Sequence, residues 1–209
     1  MIIVGLKKKG NDVTIVFDDG TYHLIDYRLV INKGLWKGQK IDENKIELLS
    51  YESSILKAKD SSFRYLGMRT HSSFELKIKL QKKKFSPEII KHTLEYLQQN
   101  KYLNDEDFVK QFVLEKINKK KIGSALLTAE LMKKGINREL IKVALSGLDK
   151  ELYLENALTL AKRKLFQITR KVSDKSKITQ KLYSFLSSKG YENEIILNVV
   201  EKLKIDKEE

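Results

Sequence analysis

The chain has 209 residues with a hydrophobic content of 41%, one proline, no cysteine and a formal net charge of +13. This hydrophobic content can form a folded core and argues against global disorder. The lack of cysteine excludes disulfides, cysteine-ligated zinc and thiol nucleophiles. No apolar run reaches the length of a membrane span, and the N-terminal charges follow the apolar residues, unlike those of a signal peptide, so we expect a cytoplasmic protein.

The positive charge is unevenly distributed along the chain. The first 50 residues contribute +1 to the formal charge, and residues 51–209 contribute +12. An excess of this size favours a polyanion or an acidic protein as the partner. The alternative is a lysine-rich surface without a specific partner, and the sequence leaves it open.

The first 50 residues have the pattern of a small β unit. β-Branched residues predict strands over residues 2–6, 13–17 and 21–25. Asp18-Asp19-Gly20 predicts a hairpin turn, and a short helix is expected over residues 26–32. We expect Trp36 to fill the junction between sheet and helix rather than to bind a nucleic-acid base.

From Asp42 onward the pattern is helical. Asp42 is suited to cap a helix over residues 43–49, and residues 51–67 form the predicted first helix of a repeat. Ser72 and Glu75 have the spacing of a capping box at the next helix start. Ser86, followed by Pro87, is suited to cap a third helix.

The pattern of these helices returns twice. When Phe85 is aligned with Ile136 and Tyr191, the repeats are spaced by 51 and then 55 residues. The aligned columns that keep their residue type are Leu76, Leu127 and Leu182; Leu80, Leu131 and Leu186; Glu88, Glu139 and Glu194; Ile90, Ile141 and Ile196; Leu94, Leu145 and Val200; and Leu97, Leu148 and Leu203. Since one such unit cannot bury its own apolar face, the repeats are expected to stack.

Caps and helix breakers predict the boundaries of the later repeats. Asn104 is suited to open repeat two, residues 119–123 to break its first helix, and Gly135 to end its second helix in the left-handed conformation. Repeat three is expected to open near Lys150, and residues 205–209 are expected to fray.

The predicted fold is therefore mainly α, with three tandem three-helix repeats in an elongated, curved array behind a small antiparallel β unit. The predicted bounds are residues 1–50 for the β unit, 51–100 for repeat one, 101–149 for repeat two and 150–209 for repeat three.

No pattern in the sequence predicts catalysis. Neither a GxxxxGK[ST] phosphate loop nor a GxGxxG fingerprint occurs, and His23, His71 and His92 lack partners at metal-ligand spacing. Asp18-Asp19 is a conceivable metal pair, but the following glycine favours a hairpin turn. We therefore expect no metal site, no cofactor and no enzymatic activity.

Clusters of basic residues are the candidate contacts for an anionic partner. They are Arg64, Arg69, Lys82, Lys83, Lys84, Lys119, Lys120, Lys121, Lys133, Lys134, Lys162, Arg163, Lys164 and Lys189. Of these, Lys83, Lys134 and Lys189 share one column of the repeat, so the same point of each unit is positive. A lysine in the last turn of a helix also complements the helix dipole, and both roles can hold.

Motifs in a fixed order resemble those of the RecX regulatory proteins, which are bacterial modulators of the RecA recombinase. The first motif is His71-Ser72 leading to Glu75-Leu76 and to the basic turn before Phe85. Tyr102-Leu103-Asn104-Asp105 with Phe108 is similar to the family's Y-L-(D/N)-D-x-x-F signature. The residues Gly123, Leu127, Glu130-Leu131 and Lys134-Gly135-Ile136 are similar to its G-x-x-x-(I/L)-x-x-E-L-x-x-K-G-(I/V) run. The β unit resembles the N-terminal extension of longer members, so the resemblance covers nearly the whole chain.

The resemblance implies a non-catalytic protein that binds along the helical groove of a RecA filament on single-stranded DNA and damps strand exchange, ATP hydrolysis and co-protease activity. The expected partners are the RecA filament, single-stranded DNA and duplex DNA, and we expect a monomer. The sequence departs from the family where Lys116 and Lys119 stand in place of an expected arginine, since lysine cannot form the bidentate guanidinium contact.

Two other functions remain open from the sequence alone. A helical-repeat module that binds DNA directly, without RecA, would lose affinity steeply with salt. A structural adaptor would show weak salt dependence and no affinity for DNA. Few aromatic residues are placed for base stacking, which argues against sequence-specific reading of single strands.

Overall fold

The structure, a computed structural model, describes residues 1–203, so the predicted fraying of residues 205–209 lies outside it. The chain begins with a three-stranded antiparallel sheet formed by β1 (Ile3–Lys9), β2 (Asp12–Phe17) and β3 (Tyr22–Asp26), in the order β1-β2-β3. Every second residue of β2 is buried, so one face of the sheet belongs to the core. The predicted hairpin turn before β3 is confirmed, with Gly20 at φ +83°.

A short helix and a long helix cover the buried face of the sheet. They are α1 (Tyr27–Asn32) and α2 (Glu43–Met68). Ile15, Phe17 and Ile25 from the sheet share a core with Ile46 and Leu49 from α2. The sheet therefore gains from α2 the packing partner that an isolated three-stranded sheet requires.

A partly buried ionic network also connects the sheet to α2. The Asp26 carboxylate caps α1 and accepts from the Arg28 guanidinium, which also donates to Asp60 on α2 at 2.6 Å. The hydrogen bonds from Arg28 hold the pKa of Asp26 below its ordinary value, even though burial of the carboxylate acts in the opposite direction. This network therefore stabilises the packing of the sheet and α1 against α2.

The predicted break between residues 49 and 51 is wrong, because α2 runs without interruption through 26 residues. No glycine or proline lies there, and the Ser50 and Ser54 hydroxyls donate to carbonyl oxygens one turn earlier, at 2.9 Å in both cases. The first half of α2 packs on the sheet, and its second half contributes Ile55 and Ala58 to the core of repeat one.

The expectation for Trp36 is also wrong. Its side chain is 60% exposed, and the neighbouring Leu35, at 7%, fills the junction instead. The turn that carries both residues has left-handed glycines at Gly34 and Gly38, and the Leu35 amide donates to the Val30 carbonyl oxygen. This turn directs Leu35, rather than Trp36, into the core.

The remaining helices complete three repeats of three helices each. They are α3 (Ser73–Lys82), α4 (Pro87–Gln99), α5 (Asp105–Glu115), α6 (Ser124–Lys133), α7 (Arg138–Ser146), α8 (Lys150–Thr169), α9 (Lys175–Ser188) and α10 (Asn193–Lys202), with a π-helical turn at Lys116–Lys120 after α5. The prediction of a mainly helical chain with three such repeats behind a small antiparallel sheet is confirmed. Within residues 1–203, no helix is both long and apolar enough to cross a membrane.

The chain divides into two compact units. Unit one is Met1–Leu103, with the sheet, α1 and repeat one (α2 to α4). Unit two begins at Asn104 and contains repeat two (α5 to α7) and repeat three (α8 to α10).

The apolar columns of the sequence alignment contribute to the equivalent cores of the three repeats. The leucines of the two columns from each second helix are 0% exposed, namely Leu76, Leu127, Leu182, Leu80, Leu131 and Leu186. The isoleucine column of each third helix is at most 2% exposed. Equivalent side chains are therefore buried in each of the three repeats, as the repeat pattern predicts.

Candidate basic interaction surface

The lysine column lies at the same structural position in all three repeats. Lys83, Lys134 and Lys189 are the C-cap residues of α3, α6 and α9. The dipole role proposed for them from the sequence is therefore compatible with their position. Lys83 is exposed, and the other two are half-buried.

An aromatic ring of the same repeat lies beside each lysine of the column. The distances from Nζ to the ring centroid are 5.8 Å for Lys83 and Tyr65, 5.3 Å for Lys134 and Phe112, and 5.6 Å for Lys189 and Phe185. These are cation–π distances, and each ring restricts the position of the ammonium group. The column is thus a set of three cations at equivalent backbone positions, each beside an aromatic ring of its own repeat.

The other basic candidates of repeat one differ in how far their charge is compensated. Lys82 is exposed as the last residue of α3, Lys84 is exposed in the turn between α3 and α4, and Arg64 is exposed on α2. In contrast, the Arg69 guanidinium donates to both carboxylate oxygens of Glu75 at 3.1 Å. Glu75 belongs to the capping box of α3, so Arg69 also supports the start of that helix.

Repeat two has both exposed and structural lysines among the candidates. Lys120 and Lys133 are exposed, and Lys119 pairs with Glu115 at 3.4 Å. Lys121 ends the π-helical turn with a left-handed φ of 51°, and its ammonium group donates to the Asn156 side chain of repeat three. Lys121 therefore has a structural role in the junction between repeats two and three.

That junction is an unusually close backbone contact within unit two. The Gly123 amide donates to the Lys189 carbonyl oxygen at 2.8 Å, and the Tyr191 hydroxyl donates to the Lys121 carbonyl oxygen at 2.8 Å. Burial raises the pKa of Tyr191, which keeps its hydroxyl protonated as a donor. The junction brings two sequence-predicted residues, Lys121 and Lys189, close together in space.

The departure from the family pattern at Lys116 has a local explanation. The Lys116 ammonium group pairs with Glu130 of α6 and lies 4.9 Å from the Phe112 ring centroid. It thus takes part in a contact inside repeat two, and this contact requires no bidentate geometry.

The basic cluster of repeat three lines an open cavity of about 1460 Å³ formed by α8, α9 and the turn between them. Lys162, Arg163 and Lys164 contribute to its wall, as the sequence clusters suggest. Arg170, Lys171 and Lys181 also line it, although they lie outside the basic clusters of the sequence. Among residues 1–203, no acidic residue lines it. We call this feature the basic groove.

A spacing in the sequence could have identified two of the missed residues. Arg170 follows Arg163 by seven residues, and Lys171 follows Lys164 by seven, which is about two helical turns. Lys181 lies on the next helix, so only the packing of α8 against α9 brings it to the groove.

The chemistry available at this surface is electrostatic. Throughout residues 1–203, no group of three or more His, Cys, Asp or Glu side chains is arranged to hold a metal ion. The exposed ammonium and guanidinium groups can donate hydrogen bonds to phosphate or carboxylate oxygens.

Family models match the chain in three consecutive segments. They are described as the first, second and third three-helix domains of RecX, and they match residues 58–97, 104–145 and 151–200. These segments coincide with the three helical repeats described above.

Curated relatives and solved structures are similar over most of the chain. "Regulatory protein RecX" of Clostridioides difficile (strain 630) is 34% identical over 94% of this chain and 92% of its own length. The protein of the same name from Clostridium botulinum (strain Alaska E43 / Type E3) is 31% identical with the same coverage. A solved structure described as "Crystal structure of regulatory protein RecX" has a TM-score of 0.74 and 25% identity over 97% of this chain and 98% of its own.

Proposed function

Because the chain belongs to the RecX family of regulatory proteins, we propose that it regulates RecA by binding filaments assembled on single-stranded DNA. In this proposal the chain lies in the helical groove of the filament and damps recombinase, ATPase and co-protease activity. It acts without catalytic chemistry of its own, through contacts with acidic filament surface and phosphate.

The observation that carries this proposal is the recurrence of a cation at the C-cap of the second helix in all three repeats. A filament presents the same surface again at regular intervals, and a repeated cation is suited to a repeated anionic target. Three contacts of moderate strength also raise the overall affinity by multivalency. The role of Lys83, Lys134 and Lys189 as filament contacts is part of the proposal.

The test is a triple charge reversal of this column, Lys83→Glu, Lys134→Glu and Lys189→Glu. The matched control is Lys77→Glu, Lys110→Glu and Lys175→Glu, which changes the net charge equally, with one exposed lysine in each repeat. We expect the column variant to bind the filament at least about ten-fold more weakly than the control, since three positioned ion pairs are lost.

Circular dichroism establishes that both triple variants are folded before binding is measured. A third variant with glutamine at the three column positions separates loss of attraction from new repulsion, and we expect it to fall between the parent and the column reversal. Equal filament affinity of the folded column variant and its control would overturn the assignment of these lysines.

A further inference from the structure

The basic groove of repeat three combines a cluster of cations with an exposed aromatic ring. It is lined by Lys162, Arg163, Lys164, Arg170, Lys171 and Lys181, and no acidic residue of the described part of the chain joins them. Among residues 1–203, none of these six cations forms an ion pair. Within these described residues the positive charge of the groove is not neutralised by ion pairs, which favours an anionic ligand.

An exposed aromatic ring lies at the same groove. Phe166 of α8 lines it and is 67% exposed. The Arg170 guanidinium carbon lies 5.8 Å from the centroid of its ring. Phenylalanine rings and guanidinium planes are both surfaces on which unpaired bases stack.

A second ring is placed differently in the groove wall. Phe185 of α9 is half-buried, and Lys164 and Lys189 lie 5.2 and 5.6 Å from its ring centroid. Phe185 therefore supports the cations on this side of the groove, including the column lysine of repeat three. Phe166, at 67% exposure, is the more accessible of the two rings.

From this arrangement we propose that the basic groove binds single-stranded nucleic acid, with a base stacked on Phe166 and the flanking phosphates held by the six cations. A duplex keeps its bases paired and offers only its phosphates, and an acidic peptide offers carboxylates but no base to stack. The combination of cations with an exposed ring therefore favours the single strand over both. The inference rests on the proposed function, because the DNA of a RecA filament is single-stranded, and it names the surface that contacts this DNA.

The test measures binding of the full chain to a fluorescein-labelled 20-nucleotide oligothymidylate in the absence of recombinase. We expect Phe166→Ala to weaken binding by about ten-fold, the loss typical of one stacked base. Phe166→Trp should retain binding, whereas Phe166→Leu should lose it, because leucine preserves the apolar surface but not the ring. The aromatic control is Phe74→Ala, since Phe74 is 43% exposed and lies on α3 in unit one.

A charge test accompanies the aromatic one. In a plot of the logarithm of the binding constant against the logarithm of salt concentration, we expect the double variant Arg170→Glu with Lys181→Glu to have a slope that is less steep by roughly one to two. The control pair, Lys110→Glu with Lys150→Glu, changes exposed lysines of unit two outside the groove and should leave the slope closer to that of the parent.

A direct readout of stacking is available because Trp36 is the one tryptophan of the chain. In a Trp36→Phe background, the indole introduced by Phe166→Trp should lose fluorescence when oligothymidylate binds. Duplex DNA of equal length should produce little quenching, and Phe166→Ala should change duplex affinity less than about two-fold.

Three results would overturn the inference. The first is that Phe166→Ala binds the oligonucleotide as the parent does, and the second is that the introduced indole shows no quenching. The third is that polyglutamate competes as well as unlabelled oligonucleotide, which would indicate an acidic protein as the ligand. None of them depends on filament binding, so the proposed function can stand if the groove fails. Conversely, oligonucleotide binding that depends on Phe166 would stand even if filament binding were absent.

Discussion

Two glycines determine how closely the second and third repeats can approach. A side-chain carbon placed on Gly123 would lie 2.1 Å from the carbonyl carbon of Gly190, and Gly190 itself has a φ of +85°. The amide and carbonyl groups of this region form the backbone hydrogen bonds of the junction, with Gly123 donating to Lys189 and Ala125 to Gly190. Any side chain at Gly123 therefore forces the two backbones apart.

We predict that Gly123→Ala lowers the free energy of unfolding by about 3 kcal/mol, the upper part of the range for overpacking. The measurement is urea denaturation followed by circular dichroism. The matched control is Gly67→Ala near the end of α2, where an added carbon meets nothing within 4 Å. This control should raise stability by about 0.5 kcal/mol, because alanine is the better helix former. Equal stability of Gly123→Ala and the parent would contradict the geometry of the junction.

His71 gives the fold a dependence on pH. Its imidazole is 4% exposed, and Nδ1 lies 2.9 Å from the Arg69 carbonyl oxygen, to which it donates. Burial is the main cause that lowers its pKa below the ordinary 6.5. The unfolded chain therefore takes up this proton more readily than the folded chain, and stability is lost as the pH falls below about 6.5.

We predict that the urea midpoint of the parent falls between pH 7.5 and pH 5.5, and that His71→Gln reduces this fall. The comparison uses the pH dependence of each protein, so a lower absolute stability of the variant does not obscure the result. His92→Gln, which removes an exposed imidazole on α4, should keep the dependence of the parent. A fall of the same size in His71→Gln would show that another group is responsible.

At the scale of the elements, the turn after each second helix has the same backbone shape with different residues. The residue after the C-cap is left-handed in all three repeats, with φ of 64° at Lys84, 74° at Gly135 and 85° at Gly190. Only repeat one has a residue with a side chain there. A non-glycine residue in this conformation carries a cost of about 1 kcal/mol.

We predict that Lys84→Gly stabilises the protein by about 0.5–1 kcal/mol by removing this cost. Lys82→Gly is the control, because it removes the same charge from the last residue of α3, where helical backbone makes glycine unfavourable by a similar amount. The measurement is the thermal unfolding midpoint of both variants compared with that of the parent. A destabilised Lys84→Gly would mean that the lysine side chain contributes more than its conformation costs.

The elements that the sequence predicted correctly are those with local signals. Ser72, Ser86 and Asn104 accept hydrogen bonds from backbone amides at the predicted helix starts. The π-helical turn after α5 has no comparable local signal. It depends on Asn156, whose side-chain amide donates to the Ile117 carbonyl oxygen although the two residues are 39 positions apart in the sequence. The continuous α2 was missed for a similar reason, since its two halves pack in two different cores.

At the scale of the whole molecule, the sequence predicts the clusters of positive charge but not which of their cations are paired within the fold. Arg69 and Lys121 have specific partners that lie on other elements, and only the folded chain reveals them. The reverse holds for Lys181 and Phe166, which become part of one groove through the packing of α9 against α8. Composition thus predicts a basic surface, whereas tertiary packing decides which cations remain available to a partner.

The measurement that tests the proposed regulation most directly is binding of the purified chain to RecA filaments on single-stranded DNA. Bare single-stranded DNA and duplex DNA are measured beside the filament at two salt concentrations, and the rate of ATP hydrolysis by the filament is followed in parallel. We predict a clear preference for the filament at both concentrations and a lower rate of hydrolysis. Equal affinity for bare DNA with an unchanged rate of hydrolysis would contradict regulation through the filament and would make nucleic acid itself the partner.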